Sequence, residues 1–321
     1  MELNTPQGSK KIDDQNEIEN VVILGSGPAG LSAALYAARA EMKPLVLTGM
    51  SLGGQVALTH TIENYPGFPE GVGGSELGNL FQQQAERFGA RIEFDLASSV
   101  DLSSKPLKIS TSGKEIQTKT LIIATGADPN HLNIPGETEL TGRGVSYCAT
   151  CDGWFFKDKD VVVVGGGDSA LEESIFLTRF ASSVTVIHRR DELRAGIILE
   201  KRAKESPKIS FIWDTIVTEI IGDEAVNKVK LQNVKTKEER LLNTDGVFIF
   251  IGHKPNTTIF SGQLEMDERG YIIANEKMQT SIPGVFASGE AADPVYRQVV
   301  TSAGMGAAAA MQAVKYLEEE D

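Results

Sequence analysis

Cysteine is nearly absent from this chain of 321 residues, which has two, Cys148 and Cys151. So small a supply excludes a secreted scaffold stapled by disulfides. Histidine is almost as scarce. His60, His131, His188 and His253 never fall in H-x-x-H spacing, and without a third cysteine a structural zinc site lacks its ligand set. No run reaches the ~18–20 consecutive apolar residues that cross a bilayer. Residues 1–20 are polar, without the apolar stretch of a secretory signal, and read as a flexible leader with order beginning at Val21. Basic residues are in deficit, 31 against 44 acidic ones, and the net charge of −13 argues against nucleic acid or an anionic membrane as partner. The expectation is a soluble, cytoplasmic protein. Hydrophobic content of 41% suffices for packed cores, and the length allows two domains.

The two cysteines stand in Cys148-Ala149-Thr150-Cys151-Asp152. A pair at this spacing can close a small disulfide ring and hold one thiol at a lowered pKa. Disulfide exchange needs a thiolate nucleophile and a proton source for the displaced sulfur, and Asp152 is placed to be that source. Half of a zinc site, or a chance pair in a turn, is the competing explanation.

Around this motif the chain repeats one plan. The apolar run Val21-Val22-Ile23-Leu24 enters Gly25-Ser26-Gly27-Pro28-Ala29-Gly30, and Leu31 to Ala40 has helical spacing. Strand, glycine turn and helix form a dinucleotide fingerprint: Gly25 for the tight turn, Gly27 for close approach of a pyrophosphate, Gly30 for helix–strand packing. Phosphate belongs at the helix N-terminus, where unpaired N–H groups point outward. The next strand, Pro44 to Leu47, ends in Thr48-Gly49 with no acid to bind a ribose, so NAD is not expected here. Loops follow at Gly53-Gly54-Gln55 and Glu63-Asn64-Tyr65-Pro66-Gly67, whose polar side chains could read a ring with several donors and acceptors. A helix over 75–88, a β meander over 91–119 and a buried strand, Thr120 to Ala124, ending in Thr125-Gly126, complete the first unit.

The plan restarts after the cysteines. Val161-Val162-Val163-Val164 leads into Gly165-Gly166-Gly167-Asp168-Ser169-Ala170 and a helix over 171–180. The following strand ends in His188-Arg189-Arg190-Asp191, with Arg194 close behind. Arginines where an acid would hold the 2′-hydroxyl point to a 2′-phosphate, hence NADP rather than NAD. Strands over 208–242 and the run 245–252 close this unit, and the later pairs Pro129-Asn130 and Pro255-Asn256 echo one another. A last segment, Val285 to Glu290, then Tyr296-Arg297-Gln298 and an alanine-rich helix over 301–317, has no nucleotide turn of its own and is expected to return to the first domain.

Taken together, these motifs resemble the low-molecular-weight bacterial thioredoxin reductases, over residues 21 to 317. The resemblance implies an α/β fold of two Rossmann-like nucleotide-binding domains, the NADPH domain inserted into the FAD domain: 21–130 with 256–321 for FAD, 131–255 for NADPH and the redox disulfide. It implies that FAD is held through Gly25, Gly27, Pro28, Ala29, Gly30, Gly54, Gln55, Asn64, Ala124, Thr125, Gly126, Gly289, Glu290, Arg297 and Gln298. NADPH would be held through Gly165, Gly167, Asp168, Ser169, Ala170, His188, Arg189, Arg190 and Arg194. Electrons would pass from NADPH through FAD to Cys148–Cys151, with Cys151 nearer the flavin, and then to thioredoxin or a thioredoxin-like protein. A rotation about links near 127–134 and 252–258 and a homodimer are implied as well. One position departs: Gly289-Glu290 stands where the family usually has Gly-Asp, one methylene shorter. The rival readings are a flavin reductase of the same fold that reduces ferredoxin or a non-thioredoxin partner, against which the cysteine pair counts; a disulfide reductase fed by ferredoxin, which would be expected to lose the arginines; and a nucleotide-binding redox sensor without turnover.

Overall fold

A computed structural model describes residues 18–50, 52–59 and 61–320. Most of the expected polar leader, residues 1–17, lies outside them. The chain divides into two compact units, Met1–Leu52 with Leu80–Thr125 and Thr257–Asp321, and Gly53–Asn79 with Gly126–Asn256.

The early elements are β1 (Ile18–Leu24), α1 (Pro28–Arg39), β2 (Leu45–Leu47), α2 (Gly74–Arg87), β3 (Arg91–Glu93), β4 (Ser99–Asp101), β5 (Leu107–Ser110) and β6 (Glu115–Ile123). Strand β1 starts ahead of its apolar run because Ile18 and Glu19 pair with Gln117 and Thr118 of β6. Among the described residues the first sheet runs β3-β2-β1-β6-β5-β4. The expected meander over 91–119 is corrected here. Strand β3 pairs in parallel with β2 at the far edge, and only β4 to β6 form antiparallel neighbours.

Strands buried on both faces read as continuous apolar runs, and β1 shows why. Val21 and Ile23 face a layer that includes Val46, Ile122, Ala33 and Ala37. Val22 and Leu24 face the opposite layer, with Leu45, Leu121, Ile109 and Phe260.

The second unit holds β7 (Ala127–Pro129), β8 (Val145–Ser146), α3 (Ala149–Asp152), β9 (Asp160–Gly165), α4 (Asp168–Leu177), β10 (Ser183–Ile187), α5 (Ile197–Glu205) and β11 (Ile209–Ile212). It continues through β12 (Thr215–Gly222), β13 (Val226–Asn233), β14 (Glu239–Asn243), β15 (Gly246–Phe250) and β16 (His253–Pro255). Its parallel sheet is ordered β11-β10-β9-β15-β8. Val161, Val163, Val184 and Phe248 pack with Leu171 and Leu177 of α4. Val162, Val164, Val247 and Ile249 turn the other way, onto Val217, Val229 and Leu231 of the antiparallel sheet β12-β13-β14. The repeated Pro-Asn pairs sit on a two-stranded ribbon: β7 and β16 pair antiparallel, and the Asn256 N–H donates to Gly126 O at 2.9 Å.

Back in the first unit, β17 (Val285–Ala287) pairs with β6, and α6 (Val299–Glu320) packs on α1. The helices meet closely because Gly306 has no side chain: a Cβ there would lie 1.9 Å from the Ala29 carbonyl oxygen. Gly304, two residues away, faces open space. Gly306→Val is therefore expected to lower stability by about 3 kcal/mol through overpacking. Gly304→Ala should leave it unchanged or raise it by up to about 1 kcal/mol, since alanine is the better helix former. Urea midpoints of the two variants check the contrast.

Candidate active site: two glycine cradles and a disulfide

In the first unit β1 hands the chain to α1 through a turn that accepts only glycine. Gly25 has φ of +106°, and a Cβ there would lie 2.2 Å from the Ala124 carbonyl oxygen at the end of β6. Gly30 is equally closed, its missing Cβ 1.9 Å from Gly25 O. Gly27 is extended and caps α1 without a side-chain bond, Pro28 opens the helix, and the first turn carries no acid. The start of α1 is thus a row of backbone donors suited to an anion. Gly289, at φ +63°, brings the turn after β17 against Ala29, 2.8 Å from a would-be Cβ, with Glu290 next in line. So Gly25, Ala29, Gly30, Ala124 and Gly289 come together at one strand end, with Thr125 following Ala124.

Arg297 has φ of +49° and donates from its guanidinium to Pro294 O at 2.9 and 3.1 Å. Asp293, which sequence reasoning missed, shapes this loop by accepting from the N–H groups of Val295 and Tyr296 at 2.8 and 3.0 Å. Its signal was an acid followed by proline, which marks a turn. Gln298 leads into α6, its N–H donating to Thr301 Oγ1 and its carbonyl accepting from Ser302.

Gly54, Gln55, Asn64 and Gly126 belong to the second unit. Gly54 opens a short helical turn after left-handed Gly53, and Gln55 donates to Asp128 Oδ1 at 2.7 Å. Asn64 is exposed on the loop between Ile62 and Val72, which bridge its ends.

The second cradle repeats the geometry of the first. A Cβ on Gly165 would lie 2.4 Å from Phe250 O at the end of β15 and 2.7 Å from the Ala170 side chain. Gly167 caps α4 without a side-chain bond and faces open space, with Asp168, Ser169 and Ala170 forming the first turn. Gly166, passed over in the sequence, is obligatory for another reason: a Cβ would strike the His188 ring at 2.3 Å. Burial, with Arg194 and Arg190 nearby, pushes the His188 imidazole below its ordinary value, so it is neutral at pH 7. The segment carrying Arg194 is fastened to the turn twice: the Arg194 N–H donates to Gly166 O at 2.7 Å, and the Gly196 N–H donates to Asp168 Oδ1 at 2.7 Å. Asp168 therefore serves this fastening. Arg189, Arg190 and Arg194 make no ion pair with any acid among the described residues.

Cys148 and Cys151 form a disulfide with Cα atoms 5.3 Å apart. Cys148 caps the single turn of α3, and its Sγ accepts from the Cys151 N–H at 3.2 Å. Asp152 is half-buried, and Ser146, at the end of β8, donates to its Oδ2 at 2.6 Å while accepting from the Cys148 N–H at 3.1 Å. Burial pushes the Asp152 carboxyl above its ordinary value, against the opposing pull of the Ser146 bond. A carboxyl so placed holds a proton more readily than a solvated one. Upstream, the buried Glu137 gathers the Leu132 and Asn133 N–H groups and the Tyr147 hydroxyl at 3.0, 2.7 and 2.8 Å. That bond set fastens the 131–137 segment to the residue before Cys148. Neither Ser146 nor Glu137 was legible as a site residue, since only the fold brings them there.

Residues 19–306 match the family described as pyridine nucleotide-disulphide oxidoreductase. The chain belongs to that family. The pyridine nucleotide-disulphide oxidoreductases similar to it include the thioredoxin reductase of Rickettsia felis, 51% identical over 93% of this chain and 98% of the relative. That of Mycolicibacterium smegmatis is 49% identical over 95% and 98%. The crystal structure of thioredoxin reductase from Streptococcus pyogenes superposes with a TM-score of 0.90 at 43% identity, covering 94% of this chain and 99% of that one. The fold is accordingly the α/β pair of Rossmann-type domains, and FAD and NADPH are the cofactors this family uses.

The raised Asp152 value has a consequence for stability. A carboxyl whose folded value lies above its unfolded one costs the folded state nothing below the unfolded value and imposes its full cost above the folded one. Asp152→Asn should therefore melt higher than the parent at pH 7, and the gain should vanish below pH 3.8, the unperturbed value. Thermal denaturation across pH, with the disulfide intact in both proteins, measures this.

Proposed function

We propose that this chain is an NADPH-dependent thioredoxin-disulfide reductase. The observation that carries the reading is a disulfide closed within one helical turn, beside a carboxyl inclined to hold its proton, in the same unit as an arginine-rich nucleotide turn. By ligand, the FAD domain is 21–130 with 256–321 and the NADPH domain is 131–255, although by contact 53–79, 126–130 and Asn256 group with the second unit. The cradle of Gly25, Gly27, Pro28, Ala29 and Gly30 would hold FAD, together with Ala124, Thr125, Gly289-Glu290 and Arg297-Gln298. The family resemblance would add Gly54, Gln55, Asn64 and Gly126 to that set. Gly165, Gly167, Asp168, Ser169 and Ala170 would hold NADPH, and Arg189, Arg190 and Arg194 beside His188 would meet its 2′-phosphate. The uncapped start of α1, free of acids, and the open space at Gly167 suit these two pyrophosphates.

When bound, FAD relays the two electrons of the NADPH hydride to the disulfide. The chain's own residues do the rest. The Cys148–Cys151 bond takes up the electron pair and opens into two sulfurs. One, as thiolate, attacks the disulfide of oxidised thioredoxin and forms a mixed disulfide, and the other closes on it and releases reduced thioredoxin. Asp152 delivers the proton that the leaving thiolate needs. The Cys151 N–H and the neighbouring Thr150 hydroxyl stabilise negative charge on Cys148 Sγ. Because the dithiol and the nicotinamide site share one unit and both must reach one flavin, the links at 127–134 and 252–258 act as a hinge. We place the enzyme in the cytoplasm as a homodimer.

The purified protein should be yellow, bleach on NADPH titration and regain colour when oxidised thioredoxin is added. A colourless protein that flavin cannot reconstitute ends the proposal. Asp152→Asn should slow colour return with thioredoxin by about 10²-fold or more while bleaching by NADPH stays fast, the range for losing a general acid. Equal slowing of both half-reactions would remove the acid role. Arg190→Ala should lower the NADPH over NADH ratio of kcat/KM by about tenfold or more, since hydrogen bonds to charged groups contribute about 1.5–3 kcal/mol.

A further inference from the structure

The arginine turn at the end of β10 does not stand alone. It carries an acid of its own, Asp191, and a second acid, Asp214, is bonded to its backbone: the Asp214 N–H donates to Arg190 O at 3.2 Å, and the next residue, Thr215, donates to His188 O at 3.0 Å. Asp214 holds φ at +52°, a left-handed conformation that, glycine apart, asparagine and aspartate tolerate best. Two carboxylates at this place would repel a phosphate dianion.

Neither carboxylate is left to do so. The hairpin turn between β13 and β14 reaches back to the same spot. Its Val234 N–H donates to Asp214 O at 2.6 Å, and Lys235 extends between the two acids. Lys235 Nζ lies 3.0 Å from Asp191 Oδ2 and 2.9 Å from Asp214 Oδ2. The turn is stiffened by Asn233, whose Oδ1 accepts from the Lys235 and Thr236 N–H groups at 2.9 Å each. One lysine thus binds both acids, while the three arginines keep their donors for something else.

We propose that Lys235 is a specificity-determining positioning residue for NADPH. By drawing Asp191 and Asp214 to itself it keeps two carboxylates off the arginine turn and leaves Arg189, Arg190 and Arg194 to the 2′-phosphate. The inference rests on reading that turn as the NADPH ribose site. It also gives the antiparallel sheet a task beyond covering one face of the second core, since that sheet delivers the lysine.

The test is calorimetric titration of the flavin-loaded protein with 2′,5′-ADP, which carries the extra phosphate, and with ADP, which does not. Lys235→Met should weaken 2′,5′-ADP about fourfold, the scale of exposed charge pairs, and leave ADP unchanged. Neutralising both acids in that background, as Lys235→Met with Asp191→Asn and Asp214→Asn, should restore the parent affinity, because asparagine keeps the left-handed position. If the parent protein binds the two ligands alike, the arginine turn is not a 2′-phosphate site and both readings fall. If the parent prefers 2′,5′-ADP but Lys235→Met changes nothing, or weakens both ligands equally, the role of Lys235 is overturned while the arginine reading stands. If the triple variant stays as weak as Lys235→Met, the lysine acts on phosphate directly, and the proposed neutralisation of the acids is wrong.

Discussion

A strand buried on both faces has only its end to offer a ligand. That constraint organises both units. In each, the central strand stops where a neighbouring strand's carbonyl occupies the space of a Cβ: Ala124 O against Gly25, Phe250 O against Gly165, at 2.2 and 2.4 Å. The chain must turn there on glycine, and the helix that follows begins with amides no side chain caps. The correspondence of Ala124 with Phe250 is the structural form of the internal echo that the pairs Pro129-Asn130 and Pro255-Asn256 carry further along. The third glycine shows how far the constraint extends. Gly30 is closed by Gly25 O at 1.9 Å, whereas the second unit accepts Ala170 at its counterpart.

The disulfide depends on the same architecture at one remove. Strand β8 is only two residues long, yet it lies parallel to β15 at the sheet edge and delivers Ser146 to the start of the cysteine turn. Ser146 then ties the backbone of Cys148 to the carboxyl of Asp152. Glu137 holds the preceding segment, its carboxyl kept below the ordinary value because bonds from Leu132, Tyr147 and Asn133 outweigh its burial. Two acids that flank the short strand β8 are thus shifted in opposite directions. Glu137, ringed by donors, is an anion that fastens. Asp152, with one hydroxyl donor, is inclined to carry a proton. Burial raises both carboxyls, and only Glu137 has enough donors to outweigh it.

Much of this was legible in the chain. The apolar runs at 21–24, 120–124, 161–164 and 184–187 are strands, and the glycine turns sit where strand meets helix because local sterics alone demand it. The redox pair was legible because cysteine is so rare here and its spacing so short. The meander was misjudged at β3, since alternation does not tell a strand which neighbour it will have. Gly166, Ser146, Glu137, Asp293 and Lys235 were missed because each matters through a residue far away in sequence or through a bond that periodicity does not encode.

Local chemistry therefore determined the turn residues, the strand cores and the reactive sulfurs, because backbone strain, two-faced burial and thiol chemistry act over a few consecutive residues. Tertiary structure alone decided which carboxyl is shifted up and which down, which acids are neutralised and which arginines remain available, because those outcomes depend on burial and on how many donors the fold brings to each oxygen.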